Sequence, residues 1–267
     1  MSLGDRMKLY ERREAGRRCM PLLPICARID GKRFSRWTEG LARPYDERLS
    51  NLMQGVTARL VRETQARIGY TQSDEISLVF HSETHAAQVF MDGRIQKLTS
   101  ILASMTTAYF NAGLAELLPE RAGQPAIFDC RVWTLPSREE AANAVLWRER
   151  DATKNAISMA ARHYYSHSEI EGKTAKQQQE LLFQAGVNFN DYPAFFKRGS
   201  FYARRERARP FSATELEQLP PRHDARENPD MVVVRHEIVR LDMPPFDKVT
   251  NRAAVIFDGA DPELADT

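Results

Sequence analysis

Nowhere in its 267 residues does this chain hold an apolar run approaching ~18 residues, so no segment is long enough to cross a membrane as a helix. Its start, MSLGDRMKLYERREAGRRC, is polar and charged and has no apolar core for a secretory signal. Cysteine is scarce. Cys19, Cys26 and Cys130 leave one thiol over in any disulfide scheme, and their spacing fits no common zinc pattern. Reduced thiols and a cytoplasmic location are therefore expected. The phosphate-loop pattern G-x-x-x-x-G-K-[ST] is missing, as is the G-x-S-x-G elbow that anchors a hydrolase triad. An excess of one charge is missing too: 38 Lys and Arg stand against 36 Asp and Glu, and a net charge of +2 does not by itself indicate a nucleic-acid partner. There is no internal repeat and no low-complexity tract.

What is present is an ordinary globular composition, 42% hydrophobic and 28% charged, in a chain long enough for one large domain or two modest ones. The basic residues are unevenly spread. Arg12, Arg13, Arg17 and Arg18 crowd one end, and a second run extends from Lys197 to Arg209. The histidines include two helically spaced pairs, His81/His85 and His163/His167, but neither has the further Cys, His or carboxylate partners of a zinc site.

The segment PLLPICARID (21–30) reads as a buried strand ending in an Asp-Gly turn. Residues 46–66 place Leu49, Leu52, Met53, Val56, Leu60 and Val61 at helical spacing behind an Asp46 N-cap. Residues 67–73 and 76–81 read as two strands with SDE between or within them, 88–117 as a second helix, and AIFDCRVWTL (126–135) as an alternating strand. The resulting β-α-β-β-α-β order predicts an α+β fold with a ferredoxin-like sheet. In that topology strands one and two run parallel with strand three antiparallel between them. The end of strand one and the hairpin joining strands two and three then share a sheet edge, which brings Asp30 close to Asp74. Beyond 136 the character changes. Helices are expected at 137–166 and 173–185, a clear strand only at 231–241, one further strand within PPFDKVTNRAAVIFDG, and fraying at the C-terminus. The division is a catalytic domain over 1–136 and a helical, partly irregular, basic region over 137–267.

Three stretches could carry chemistry. Asp30-Gly31 facing Asp74-Glu75 offers hard oxygen ligands of the kind Mg²⁺ prefers, and Gly31 allows close approach of the backbone. Either motif alone is also ordinary turn chemistry. DGKRFSRW (30–37) follows the first aspartate with Lys32, Arg33 and Ser35, a loop suited to a triphosphate or simply to solvent. FFKRGSFYARRERARP (195–210) mixes aromatics with cations, either for RNA stacking and phosphate contact or as core and surface.

ARIDGKRFSRW, ARPYDERLSNLM and IGYTQSDEISLVF, in this order and at these spacings, resemble the tRNA-His guanylyltransferase family, whose reverse-polymerase members add nucleotides to RNA 5′ ends. The resemblance is strong over ~20–135 and continues more weakly through WRERDATKNAISM and DYPAFFKRGS. It implies a polymerase-type palm, two Mg²⁺ ions, GTP or other nucleoside triphosphates and ATP as substrates, tRNA as partner, and a homotetramer. By position it implies Asp30, Asp74 and the Gly31 carbonyl as metal ligands, with Glu75 as a supporting catalytic acid. It assigns Asp30, Gly31, Lys32, Arg33, Phe34, Ser35, Ser73 and Asp74 to the nucleotide, with Arg43 where eukaryotic members carry the Lys of KPND. Asn155, Lys197, Arg198, Arg204 and Arg205 are the candidates for RNA contact. Where eukaryotic members read HINNLYN, this chain runs from Thr153 to Met159 and matches only at Asn155. That points to the bacterial and archaeal branch, with templated addition and repair of truncated tRNA. The alternative within the family is strict tRNA-His maturation by a single G. Outside it, the alternatives are a palm-type nucleotide cyclase, a non-catalytic RNA-binding protein and a purely structural module.

Overall fold

Helices on both faces bury the central strands almost throughout, and two strands beyond residue 136 extend the sheet begun by the first four. The computed structural model describes residues 1–228 and 230–265; part of the C-terminus, where fraying is expected, falls outside them. Helix α1 (Leu3–Ala15) opens with a capping box between Ser2 and Asp5 and buries none of its residues. Strand β1 (Ile25–Gly31) is followed by the single turn α2 (Phe34–Trp37) and by α3 (Glu47–Thr64), whose cap Asp46 accepts a hydrogen bond from the Arg48 N–H. Strands β2 (Ile68–Gln72) and β3 (Glu75–Phe80) form a hairpin, and α4 (Ile95–Leu117) leads to β4 (Phe128–Thr134). Then come α5 (Arg138–Tyr164), α6 (His167–Ile170), α7 (Ala175–Gln184) and α8 (Ala194–Arg198). The chain ends with β5 (Ser200–Pro210), α9 (Ala213–Gln218), β6 (Val232–Leu241) and α10 (Arg252–Phe257).

The six strands lie in the order β4-β1-β3-β2-β5-β6, every neighbouring pair antiparallel. β1 and β2 therefore point the same way, with β3 reversed between them. The register pairs Ile29 with Ile76, Gln72 with Glu75 and Asp30 with Asp129, so the end of β1 and the β2–β3 turn lie at one edge.

The inward set on one face, including Ile25, Ala27, Ile29, Ile76 and Leu78, packs with side chains of α3 and α4. The opposite face contributes Cys26, Ile68, Tyr70 and Val79 to a second cluster with α5 and α10. The later part of α5 packs with α7 and α8 in a third. This last cluster fixes α5 relative to the sheet edge.

Three expectations change. The helix expected from residue 88 begins at Ile95, because Met91, Asp92 and Gly93 take φ of 53°, 55° and 63°, which no helix accommodates. The strand expected in 244–259 is a 3₁₀ turn at Phe246–Lys248 followed by α10, which buries Val255, Ile256 and Phe257. A short apolar run does not separate a strand from a buried helix by period alone. β5 forms inside the basic aromatic run and pairs with β2, and Phe196 and Phe201 are core residues rather than an exposed stacking surface.

Candidate active site

Asp30 is the penultimate residue of β1 and Asp74 the second residue of the two-residue β2–β3 turn. Ser73, the first, takes φ of 54°, as hairpin turns of this length demand at a position that usually goes to Gly, Asn or Asp. A non-glycine residue held there stores backbone strain, a feature that concentrates at functional sites. Arg33 repeats the pattern at φ 53° in the loop after β1. Gly31 is required by contact rather than by dihedral: a Cβ there would lie 2.8 Å from Asp74 Oδ2 and 2.5 Å from Phe34 Cδ2. The missing side chain leaves the cradle into which the Asp74 carboxylate fits.

The electrostatics of this corner are unfavourable without a further cation. Burial, then the charge of Asp30, pushes the Asp74 carboxyl up to about 6, although the Ser73 hydroxyl and the Asp74 N–H oppose the shift. Asp30 is raised by burial and by Asp129 across the ladder, against the opposing charges of Arg28, Arg131 and Arg148. A divalent ion between Asp30 and Asp74 would supply the missing countercharge. No group of three or more His, Cys, Asp or Glu suits a metal among the described residues. The donor set is thus two carboxylates and nearby backbone, which fits Mg²⁺, an ion that keeps waters and substrate phosphates in its shell. It does not fit a dedicated zinc cage.

Glu75 faces differently. Arg148 of α5 donates from Nε to Oε1 at 2.5 Å and from Nη2 to Oε2 at 2.6 Å, a bidentate pair, and Arg148 Nη2 also reaches Asp151 Oδ2 at 3.1 Å. Arg28 Nε stands 4.0 Å from Glu75 Oε2 and has no hydrogen-bond partner among the described residues. Both oxygens of Glu75 are therefore engaged, whereas Asp30 and Asp74 have no ion-pair partner among the described residues.

Two cavities meet at the turn. The larger, of about 780 Å³, is lined by Gly31, Arg33, Phe34, Ser35, Arg43, Ser73 and Asp74, with Tyr45, Leu49, Met159 and Phe195 among its apolar walls. The smaller, of about 410 Å³, is lined by Asp30, Asp74, Glu75, Arg148 and Asn155. Gln72, Ser73, Asp74, Met159 and Arg162 border both.

The structure thus gathers Asp30, Gly31, Arg33, Phe34, Ser35, Arg43, Ser73, Asp74, Glu75 and Asn155 around one corner of the sheet. Two of these placements qualify the roles implied. Phe34 is only 5% exposed and stacks on Trp37 with ring centroids 5.0 Å apart, so its side chain is a floor for the loop. Arg43 Nη2 already donates to the Thr38 carbonyl at 3.2 Å. Lys32 borders neither cavity, and its N–H donates to the Ile127 carbonyl at 2.8 Å. Lys197, Arg198, Arg204 and Arg205 also border neither. Lys197 Nζ donates to the Asn190 carbonyl, and Arg205 Nη2 donates to the carbonyls of Val255 and Ala260 at 3.1 and 3.2 Å. Sequence reasoning missed Arg148, Met159 and Arg162. The signal that finds them is their spacing with Asn155 along one face of α5.

Paired carboxylates beside a basic cavity are an arrangement suited to metal-assisted phosphoryl transfer. Comparison with known proteins agrees with that class. The family model of tRNAHis guanylyltransferase matches residues 4–136. A bacterial tRNA(His) guanylyltransferase-like protein, solved in complex with ATP, is 34% identical, with 76% of this chain and 87% of that one covered and a TM-score of 0.71. A bacterial protein of the same description in complex with GTP is 29% identical over 93% and 95% of the two chains, also at 0.71. The tRNA(His) guanylyltransferase of Saccharomyces cerevisiae is 28% identical over 70% of this chain and 84% of its own length. This chain belongs to the tRNA(His) guanylyltransferase family, a family of nucleotidyltransferases.

Proposed function

We propose that this protein extends the 5′ end of tRNA in the 3′–5′ direction and that its principal role is templated repair of truncated 5′ ends. The observation that carries the reading is the meeting of the Asp30 and Asp74 carboxylates beside Gly31 where two cavities join. The β4-β1-β3-β2 order supports treating residues 1–136 as a ferredoxin-like, polymerase-type palm, with 137–267 completing the RNA-binding and oligomer surfaces of a tetramer.

In this mechanism the larger cavity takes the incoming nucleoside triphosphate, GTP or another. Arg33, Ser35, Arg43 and Ser73 supply phosphate donors, and the aromatic and aliphatic wall takes the base. The smaller cavity takes the RNA 5′ end beside Asn155. That end arrives as a triphosphate or is first activated with ATP. The 3′-hydroxyl of the bound nucleotide attacks the 5′ α-phosphorus; the new P–O bond forms as the bond to pyrophosphate, or to AMP after activation, breaks. Asp30, Asp74 and the Gly31 carbonyl would hold Mg²⁺. When bound, Mg²⁺ lowers the pKa of the attacking hydroxyl and offsets charge on the leaving group. Glu75, clamped by Arg148, holds the start of β3 and with it the turn that carries Asp74.

The repair reading is favoured over single-G maturation by the polar face of α5, which matches the eukaryotic HINNLYN stretch only at Asn155, and by the similarity to the bacterial guanylyltransferase-like proteins. The test supplies full-length and 5′-truncated tRNAs with Mg²⁺, ATP and each nucleoside triphosphate, then sizes the products. Template-dependent lengthening of the truncated tRNAs supports repair, and a single untemplated G supports maturation. Cyclic nucleotide from a triphosphate alone would identify a cyclase. No extension of any RNA defeats the polymerase reading.

A further inference from the structure

Helix α5 turns an unusual face to the β2–β3 hairpin. Arg148, Ala152, Asn155, Met159 and Arg162 recur at steps of four, three, four and three, so they form one stripe about 21 Å long. A helix packed on a sheet usually directs an apolar stripe inward; this one has such a stripe and, beside it, lines a cavity with two arginines and an asparagine. The arginines at its two ends are in different states. Arg148 is neutralised by Glu75 and Asp151. Arg162 is exposed and has no carboxylate within ion-pairing distance among the described residues. An arginine in the last turn of a helix is favourable through the macrodipole alone. That effect does not explain why this one borders both cavities, which meet at the half-buried Asp74 carboxylate.

We infer that Arg162 is a phosphate-binding residue at the junction of the two cavities, holding phosphoryl oxygens that lie between them. The inference rests on the reading of the site given above and adds to it a residue outside the motifs that carry the family resemblance. Planar bidentate donors suit phosphate oxygens, and the carboxylates across the junction leave an incoming polyphosphate in need of a fixed cation on the helix side. The phosphoryl group has two possible sources: the triphosphate of a nucleotide in the larger cavity, or the 5′-terminal phosphates of an RNA in the smaller.

The test uses the full-length protein, R162A and R162K, with Mg²⁺ present throughout. Affinities are measured for GTP without RNA, and for 5′-triphosphorylated and 5′-hydroxyl tRNA without nucleotide. R162A is expected to lose at least about tenfold in one arm, as loss of one charge-assisted contact implies, with partial recovery in R162K. A loss for GTP assigns the nucleotide's triphosphate. A loss for triphosphorylated but not for 5′-hydroxyl tRNA assigns the RNA end. Affinities within twofold of the parent in every arm overturn the inference while leaving the site reading intact, and so does an equal loss for both RNAs without loss for GTP. If the parent binds neither GTP nor 5′-triphosphorylated RNA, the site reading fails and the inference falls with it. Because Arg162 is exposed, an unchanged melting temperature is expected and separates a binding defect from misfolding.

Discussion

The two faces of β1 obey the same pleat and serve opposite ends. Ile25, Ala27 and Ile29 point toward α3 and α4 and are 2% exposed or less, closing a core that excludes water. The alternate positions begin the same way with buried Cys26, then change to Arg28 and Asp30, and β3 follows suit with Ser77 and Glu75. One face spends its contacts on stability. On the other lie partly desolvated carboxylates at the strand ends, an Arg28 Nε and a Ser77 hydroxyl without hydrogen-bond partners among the described residues, and like charges at Asp30 and Asp129 directly across the ladder. Like charges placed opposite each other destabilise a sheet. A fold that keeps them there concentrates its unfavourable electrostatics where a charged ligand can relieve them.

The sharpest break between the faces comes from substituting each in turn. Asp30→Ala or Asp74→Ala is expected to lower the extension rate by at least about 10³-fold, roughly 4 kcal/mol in activation free energy, with the melting temperature held or raised. Removing Asp74 relieves a half-buried carboxylate whose charge burial and Asp30 both disfavour. Retained activity in Asp74→Ala would sink the metal assignment. Leu78→Ala, on the α3–α4 side, should do the reverse. This fully buried side chain lies among Val61, Thr57 and Gly69, and its truncation costs about 2–5 kcal/mol of stability. Folded protein at low temperature should keep near-parental rates per active site. A large rate loss in folded Leu78→Ala would show that the two faces are not separable.

Much of this contrast is legible before any coordinates. Hydrophobic period placed β1 to β4, α3 and the body of α4, and the order of elements alone brought Asp30 to Asp74. What period could not show falls into two kinds. Apolar runs too short to display a repeat were ambiguous, as at Ala253 to Phe257. Alternation was hidden wherever long cationic side chains occupy outward positions, as along β5, where Ser200, Phe201 and Ala203 are buried beside Arg204 and Arg205. Arginine partly covers apolar surface with its stem, so a strand rich in it reads as a basic surface. The partners of charged groups were equally invisible. Nothing in the sequence around Glu75 reveals that Arg148, from a helix that begins beyond β4, fills both its oxygens.

The junction between the faces is Gly31, and a methyl group there tests how closely they are fitted. Gly31→Ala forces its Cβ to within 3 Å of both the Phe34 ring and the Asp74 carboxylate unless one gives way. Overpacking of this kind costs about 1–3 kcal/mol. The expected outcome is a modest fall in melting temperature with a disproportionate fall in activity, because the carboxylate end moves more easily than the ring packed on Trp37, Phe110 and Phe128. Equal retention of activity and stability would show that the cradle is looser than the contacts imply.

The smallest effect concerns a carboxylate that the site does not use. Glu149 follows Arg148 in α5 but turns away from the cavities. It is 3% exposed, and both of its oxygens accept from the Phe246 N–H, at 3.1 and 2.9 Å. Burial raises its carboxyl to about 7 despite that bond. The sign follows from linkage. Between its ordinary value near ~4.5 and ~7 the unfolded chain releases this proton while the native protein keeps it, so the native state binds more protons and stability falls as pH rises. Above that window the loss levels off, and below it the contribution vanishes. Glu149→Gln cannot ionise, so its stability relative to the parent should improve by about 2 kcal/mol between pH 5 and pH 7, read from paired thermal or denaturant melts. Melts that shift in parallel across this range would mean that Glu149 is ionised and satisfied at both pH values. The buried carboxylates of α5 and of the sheet edge would then differ in partner rather than in protonation.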